Sequence, residues 1–113
     1  MKKSIVRQLS ACMLGLALSV SALASEGNDV GVITMLYVDV NGSIAVQLNG
    51  GFPNATSTGQ CPTSNGYAGS TVADPALKAF LMMAKATGQS VQIVTQGCDG
   101  GGSWWKITAA YAM

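Results

Sequence analysis

Histidine is absent from the 113-residue chain, and charged side chains make up only 10% of it. Without an imidazole, the chain lacks the commonest general base, proton shuttle and metal ligand of proteins. Six basic and five acidic residues give a formal net charge of +1, whereas a nucleic-acid-binding face needs clustered lysines and arginines. We therefore expect neither nucleic-acid binding nor histidine-dependent catalysis.

The other common catalytic and cofactor motifs are also missing. The glycines at 100–102 precede tryptophans in a strand pattern, not the lysine and hydroxyl residue that open the helix of a phosphate-binding loop. Ser70 lacks the spacing of a nucleophile elbow, and the five acids are too scattered for a carboxylate pair or a metal cluster. We predict a protein that is not an enzyme, has no cofactor and no metal, and acts by binding or as a structural component.

The first 24 residues have the parts of a secretory signal peptide. Three basic residues lie within the first seven positions, residues 11–20 are apolar, and a small-x-small pattern predicts cleavage after Ala24. Cys12 precedes the apolar segment, which is the wrong order for a lipoprotein cleavage site. The apolar segment is too short for a membrane-spanning helix. We expect one small domain over residues 25–113, periplasmic or secreted, with no membrane span after signal removal.

The predicted mature chain keeps two cysteines and becomes slightly acidic. Three lysines and five acids give a net charge of −2. Cys61 and Cys98 are an even number of cysteines in an oxidising compartment, which predicts a disulfide. Such a bond would close a loop of about 37 residues and stabilise the fold by roughly 3–4 kcal/mol. A redox pair is disfavoured because the chain has no Cys-x-x-Cys motif.

Alternating apolar residues predict a β-hairpin at the start of this domain. Residues 30–40 and 43–48 form two strand patterns joined by an Asn-Gly dipeptide, which is typical of a two-residue turn with positive φ at both positions. The following segment, residues 52–73, is rich in serine, threonine and glycine. We predict a loop there, with a short edge strand near residues 55–61.

One helix is predicted between Asp74 and Gly88. Asp74 is a suitable N-cap, proline occupies the tolerated first position, and Gly88 favours the left-handed residue that ends a helix. The core-facing side repeats at helical spacing and consists of Leu77, Phe80, Leu81 and Ala84. A second side is also uncharged; it either packs within the domain or meets a partner, and its candidate oligomer-face residues are Ala76, Ala79, Met83 and Ala86.

Two further strand patterns, residues 90–96 and 104–111, follow the helix. The order strand, strand, short strand, helix, strand, strand matches the OB-fold, a small five-stranded barrel whose helix lies between the third and fourth strands. The predicted fold class is therefore α+β, mainly β, with an OB-like barrel. The alternative is an open sheet with the helix on one face.

The segment CDGGGSWWK at 98–106 is the most unusual stretch of the sequence. Three glycines beside tandem tryptophans can expose an aromatic platform for a sugar or another flat ligand. In the alternative interpretation, one tryptophan fills the core, the other covers it, and the glycines form a hairpin turn. Alternation along the strand places the two rings on opposite faces, so at least one lies off the core. The candidate ligand-binding residues are Trp104, Trp105, Asp99 and Tyr67.

Several short motifs carry a resemblance to exported bacterial proteins. They are Val-Ile-Thr in the first strand, the run at 66–78, Ala-Thr-Gly-Gln before a strand, and Gly-Cys-Asp-Gly before the tryptophans. In these motifs the chain resembles a family of small, uncharacterised exported proteins of Gram-negative bacteria. More distantly, through Val-Ile-Thr, a mid-chain cysteine, the apolar helix and Thr-Gly-Gln-x-Val-x-Ile at 87–93, it resembles the B subunits of subtilase-cytotoxin-type and pertussis-type toxins.

The distant resemblance implies a secreted OB-fold, a pentameric ring and a glycan ligand. The glycan-contact residues do not carry over, because Asp29, Val30 and Gly31 stand where those subunits place polar sugar contacts. Two hypotheses follow. The first is a non-catalytic exported OB-like domain that binds a ligand such as a glycan through aromatic and polar loop residues, as a monomer or a homo-oligomer. The second is a periplasmic structural or accessory protein that contacts another exported protein through its apolar helix.

Overall fold

Five β-strands close into a barrel in the computed structural model, which describes residues 25–113. The strands are β1 (Gly27–Val38), β2 (Ile44–Leu48), β3 (Tyr67–Ser70), β4 (Ser90–Asp99) and β5 (Trp104–Ala112). They are connected by the helices α1 (Pro53–Thr58) and α2 (Pro75–Thr87) and by a 3₁₀ turn (Gly100–Gly102). The predicted signal peptide, its cleavage after Ala24 and Cys12 lie outside the described residues.

The strand order is β1-β2-β3-β5-β4, and β4 pairs with β1 to close the barrel. Neighbouring strands are antiparallel except for β3 and β5, which run parallel. Since α2 lies between β3 and β4 in the chain, the predicted mainly-β, OB-like fold is confirmed, and the open sheet is wrong. Closure leaves the barrel without a free sheet edge.

The barrel interior is filled by alternate side chains of the strands and by one side of α2. Ile44, Val46 and Leu48 point inward from β2 as predicted, and Leu81 and Ala84 of α2 are fully buried. Each large aliphatic side chain buried in this way contributes about 1.5–3 kcal/mol. The core is therefore shared between the sheet and the helix, which fixes α2 on the barrel.

A β-bulge in β1 reverses which side chains face inward. Ile33 is buried in the core, the register then shifts between Ile33 and Met35, and Leu36 is the next side chain to pack against the core. An extra residue in one strand changes the phase of the alternation. The uniform alternation predicted for residues 30–40, which places Ile33 and Leu36 on opposite faces, is therefore wrong. After the shift, Tyr37 lies on the outside of the barrel, where it is exposed.

The connection between β1 and β2 is longer than the predicted two-residue turn. Only Gly42 has a positive φ, of 89°, and Val38 and Ile44 form the last pair of the hairpin. Oδ1 of Asp39 accepts hydrogen bonds from the N–H of Asn41 at 2.9 Å and of Ser43 at 3.1 Å. The Asp39 carboxylate thus organises a five-residue connection, which the Asn-Gly pair alone does not reveal.

Helix α1 replaces the edge strand predicted near residues 55–61, and the third strand of the barrel is β3, within the segment 52–73 predicted as a loop. Pro53 occupies the first position of the helix, and Gly59 ends it in the left-handed conformation. The buried carboxylate of Asp29 accepts hydrogen bonds from the N–H of Asn54 at 2.9 Å and of Ala55 at 3.1 Å. Because this cap comes from β1, 25 positions earlier in the chain, the local composition misled the prediction.

Helix α2 begins and ends where the sequence predicts. Oδ1 of Asp74 accepts a hydrogen bond from the N–H of Ala76 at 2.8 Å, and Gly88 has a φ of 71°. The second, uncharged side of the helix is exposed to solvent and consists of Ala76, Ala79, Met82, Met83 and Ala86. Its contact with a partner or with further copies of the chain stays a prediction.

We expect the substitution Thr95→Val to stabilise the protein. Thr95 is fully buried in β4, and its hydroxyl has no hydrogen-bond partner. Valine has nearly the same shape and removes a buried polar group whose burial costs about 1–3 kcal/mol. The free energy of unfolding, measured by urea denaturation, should rise by about 1 kcal/mol. Thr108→Val, at an exposed position of β5, is the control: its hydroxyl donates a hydrogen bond to the carbonyl of Val94 at 3.4 Å, so its removal should give no gain in stability. A loss of stability in Thr95→Val, or an equal gain in Thr108→Val, would contradict the expectation.

Candidate functional site

The predicted disulfide between Cys61 and Cys98 is present, with a Cα–Cα distance of 5.2 Å. It attaches the segment after α1 to the end of β4. Next to it, the Thr63 hydroxyl donates a hydrogen bond to the carbonyl of Gly102, and the N–H of Asn65 donates to the carbonyl of Ser103 at 2.8 Å. The bond therefore places residues 61–66 beside the 3₁₀ turn and the start of β5.

A cavity of 450 Å³ opens on the outer surface of the barrel beside these segments. It lies among the β1–β2 connection, the segment leading into β3, the residue after β3, and the 3₁₀ turn with the start of β5. Its lining is aromatic and polar and consists of Tyr37, Asp39, Ser43, Asn65, Tyr67, Thr71, Gly100, Ser103 and Trp104. This volume lies within the range of small-molecule sites, about 300–1,000 Å³.

The aromatic wall of the cavity is the pair Tyr37 and Trp104. Their ring centroids are 5.8 Å apart and the ring planes meet at 63°, an edge-to-face arrangement. Small residues of the sheet make room for these rings: Tyr37 pairs with Ala45, and Ala45 pairs with Gly69. A Cβ atom at Gly69 would lie 2.8 Å from Cε3 of Trp104. The outer face of the sheet thus has a shallow depression in which the indole ring of Trp104 packs.

Asp39 supplies the charge of the cavity. Its Oδ1 is engaged by the β1–β2 connection, and its Oδ2 accepts a hydrogen bond from the Tyr37 hydroxyl at 3.2 Å. The hydrogen bond from the Ser43 N–H is the main reason that the pKa of Asp39 lies below its ordinary value, and those from Asn41 and Tyr37 add to it. The same contact with Asp39 raises the pKa of Tyr37. At neutral pH the cavity therefore holds a carboxylate anion and a neutral phenol.

Asp99 supports the cavity from behind and is not part of its lining. It accepts hydrogen bonds from the N–H and hydroxyl of Thr71, at 3.1 and 2.9 Å, and from the N–H of Gly100 at 2.7 Å. Burial would raise the pKa of Asp99, but the bonds from Gly100 and Thr71, together with the charge of Lys106, hold that pKa below its usual range. Asp99 thereby joins the residue after β3 to the 3₁₀ turn, so that Thr71 and Gly100 stay on the same wall.

The four residues predicted as ligand contacts fall into two groups. Trp104 and Tyr67 line the cavity, and the two are paired where β3 runs alongside β5. Trp105 is 8% exposed and packs against Phe52 with ring centroids 5.3 Å apart, so it belongs to the core. Asp99 occupies the supporting position. The expectation that the two tryptophans lie on opposite faces matches this arrangement.

Six lining side chains were not predicted from the sequence, namely Tyr37, Asp39, Ser43, Asn65, Thr71 and Ser103. Two of them carried a usable signal. Asp39 comes directly before Val40-Asn41-Gly42, and an aspartate at the start of a turn commonly accepts from the N–H two residues later. Ser43 closes the same connection. Tyr37 had no such signal, because its outward direction depends on the bulge in β1.

Two further properties bear on the chemistry of residues 25–113. No group of three or more Cys, Asp and Glu side chains within this range is arranged to hold a metal ion. No helix within it is long and apolar enough to cross a membrane.

Comparison of the chain with known protein families, curated proteins and solved structures found no match.

Proposed function

We propose that this protein is an exported, non-catalytic OB-like domain that binds a glycan in the cavity beside Trp104. The observation that carries the proposal is the Tyr37–Trp104 pair at the wall of a 450 Å³ cavity with polar groups around it. A pyranose has an apolar face of C–H groups and an edge of hydroxyls. An aromatic wall can stack on the apolar face, and the hydrogen-bonding side chains around it can bind the hydroxyls.

The polar part of the lining suits sugar hydroxyls. Asn65 offers an amide donor and acceptor, Ser43 and Ser103 offer hydroxyls, and Asp39 offers an acceptor with charge. A hydrogen bond to a charged group contributes about 1.5–3 kcal/mol, roughly twice the contribution of a neutral one. The Asp39 carboxylate is therefore expected to orient the sugar, while the indole ring provides most of the contact area.

An extracytoplasmic location belongs to the same proposal. The Cys61–Cys98 disulfide is of the kind that forms and persists in oxidising compartments. Together with the signal-peptide pattern of residues 1–24, it favours the periplasm or secretion. Glycans of the cell envelope are within reach of a periplasmic protein, and cell-surface or extracellular glycans are within reach of a secreted one.

Trp104→Ala should weaken glycan binding strongly and leave the barrel folded. The indole ring lies on the outer surface of the sheet, so its loss removes the stacking wall without opening the core. We expect the affinity for any sugar that binds the wild type on a glycan array to fall at least about tenfold, or 1.4 kcal/mol, by calorimetry. Tyr111→Ala, which removes an exposed aromatic ring of the same strand away from the cavity, is the matched control and should bind as the wild type does.

Binding that survives Trp104→Ala would contradict the site, and a wild type that binds no sugar would contradict the function. In the second case the other candidate function becomes the first hypothesis, namely contact with another exported protein through α2. The observation in its favour is the pair Met82 and Met83, which are 52% and 48% exposed on the uncharged side of that helix. Methionine side chains adapt easily to a partner surface.

A further inference from the structure

The charge of the cavity indicates which glycans it binds. Of the residues that line it, Asp39 alone is ionisable in the acidic range, and none of the described lining residues is a lysine or an arginine. Tyr37 is neutral at physiological pH, because its hydrogen bond to Asp39 raises its pKa. The cavity is therefore a site with a net negative charge in a chain segment that is itself acidic, at −2 over residues 25–113.

One oxygen of the Asp39 carboxylate can accept a further hydrogen bond. Its Oδ1 receives two backbone N–H groups, whereas its Oδ2 receives only the Tyr37 hydroxyl. A carboxylate oxygen has two lone pairs, so Oδ2 keeps room for one more donor. A sugar hydroxyl can fill that position, and an anionic sugar group cannot.

We infer that the cavity selects uncharged sugars and rejects anionic ones, such as uronic acids and sialic acids. This inference rests on the proposed glycan-binding function. Like charges brought together in a site without a compensating cation oppose binding strongly, because the bound anion also gives up part of its hydration. The selection thus depends on Asp39, while the aromatic wall binds either kind of sugar.

Lys78 lies beside the β1–β2 connection. Its Nζ lies 3.1 Å from the position that a Cβ of Gly42 would occupy, outside the lining of the cavity. At that place the ammonium group can weaken the field of Asp39 but offers no hydrogen bond inside the cavity. Its contribution is separable by experiment, since Lys78→Gln should widen the discrimination between neutral and anionic sugars.

The test compares sugar pairs that differ only at C6, with a hydroxymethyl group in one and a carboxylate in the other; the neutral uronamide separates the loss of the C6 hydroxyl from the effect of charge. Methyl glycosides of glucose, galactose and mannose are titrated by calorimetry alongside the corresponding methyl uronides, in which C6 carries a carboxylate. For the wild type at low ionic strength, we expect the uronide of the best-bound hexose to bind at least about tenfold more weakly than the hexose. Raising the salt concentration should narrow the difference, because charge repulsion in an open cavity is screened.

Asp39→Asn should reduce the difference between hexose and uronide to less than about threefold. Asparagine keeps an acceptor oxygen for the N–H groups of Asn41 and Ser43, and circular dichroism verifies that the variant is folded. Glu26→Gln is the matched control: it makes the same change in net charge beside the opposite end of β1 from Tyr37, and should preserve the wild-type difference.

Three results would overturn the inference. The wild type binds uronides as tightly as hexoses, or Asp39→Asn keeps the full difference, or Glu26→Gln removes it as effectively as Asp39→Asn does. In each case sugar binding itself, and with it the proposed function, stands. Absence of binding by either member of every pair, in the wild type and at high protein concentration, overturns the proposed function and this inference together.

Discussion

Replacing both Cys61 and Cys98 by serine should lower the free energy of unfolding by about 3–4 kcal/mol. The bond joins positions 37 residues apart, and a loop of that length loses considerable entropy when it is closed in the unfolded chain. Small domains have a total stability of about 5–15 kcal/mol, so the expected loss is a large fraction of it. Urea denaturation of the wild type and the double variant, with and without a thiol reductant, measures the difference.

Loss of the disulfide should disturb the geometry of the cavity under milder conditions than those that unfold the barrel. The disulfide positions residues 61–66, which contribute Asn65 to the lining and contact the 3₁₀ turn through Thr63 and Gly102. The pairing of β1 with β2 and with β4 includes neither cysteine. We therefore expect the double variant to bind sugar more weakly than the wild type at urea concentrations where far-ultraviolet circular dichroism is unchanged. Reductant should lower the stability of the wild type only; an equal effect on the serine variant, or a loss below about 1 kcal/mol, would contradict the role assigned to the bond.

The parts of the fold that follow from local pattern were predictable. Alternation in residues 43–48, the Asp74 cap with the Gly88 end, and the strand pattern after Gly88 each depend on neighbours within a few positions, and each is present in the structure. Their order, with a short third strand before the helix, indicated the OB-like topology, although that strand lies at Tyr67–Ser70 and a second helix occupies the place predicted for it. The pairing of the two cysteines followed from their number.

The parts that depend on distant contacts were not predictable. Helix α1 is capped by Asp29 from β1, and a serine- and threonine-rich segment has no reason of its own to become a helix. The bulge in β1 likewise has no local mark, yet it decides that Tyr37 faces outward. Trp104 was found because tandem tryptophans are unusual, whereas its partner in the aromatic wall was hidden by a shift of one residue in the strand.

Gly69→Ala should be strongly destabilising, although the position lies on the outer face of the barrel. A Cβ at this position of β3 would lie 2.5 Å from the carbonyl oxygen of Ile44, 2.7 Å from Cβ of Ala45 and 2.8 Å from Cε3 of Trp104. The first contact is with backbone, so rotation of a side chain cannot relieve it. Forcing one methyl group into a well-packed place typically costs about 1–3 kcal/mol, and we expect a value near 3 kcal/mol here.

The same substitution should also weaken sugar binding, since the indole ring of Trp104 lies over Gly69 and must move to admit the new methyl group. Urea denaturation measures the loss of stability, and calorimetry together with near-ultraviolet circular dichroism measures the displacement of the ring. Gly50→Ala is the matched control, because a Cβ at Gly50 would meet nothing within 4 Å and the backbone there does not have a positive φ. That variant should stay within about 0.5 kcal/mol of the wild type and bind sugar equally well. If the two glycine variants behaved alike, the close seat of Trp104 on β3, and with it the geometry of the aromatic wall, would be wrong.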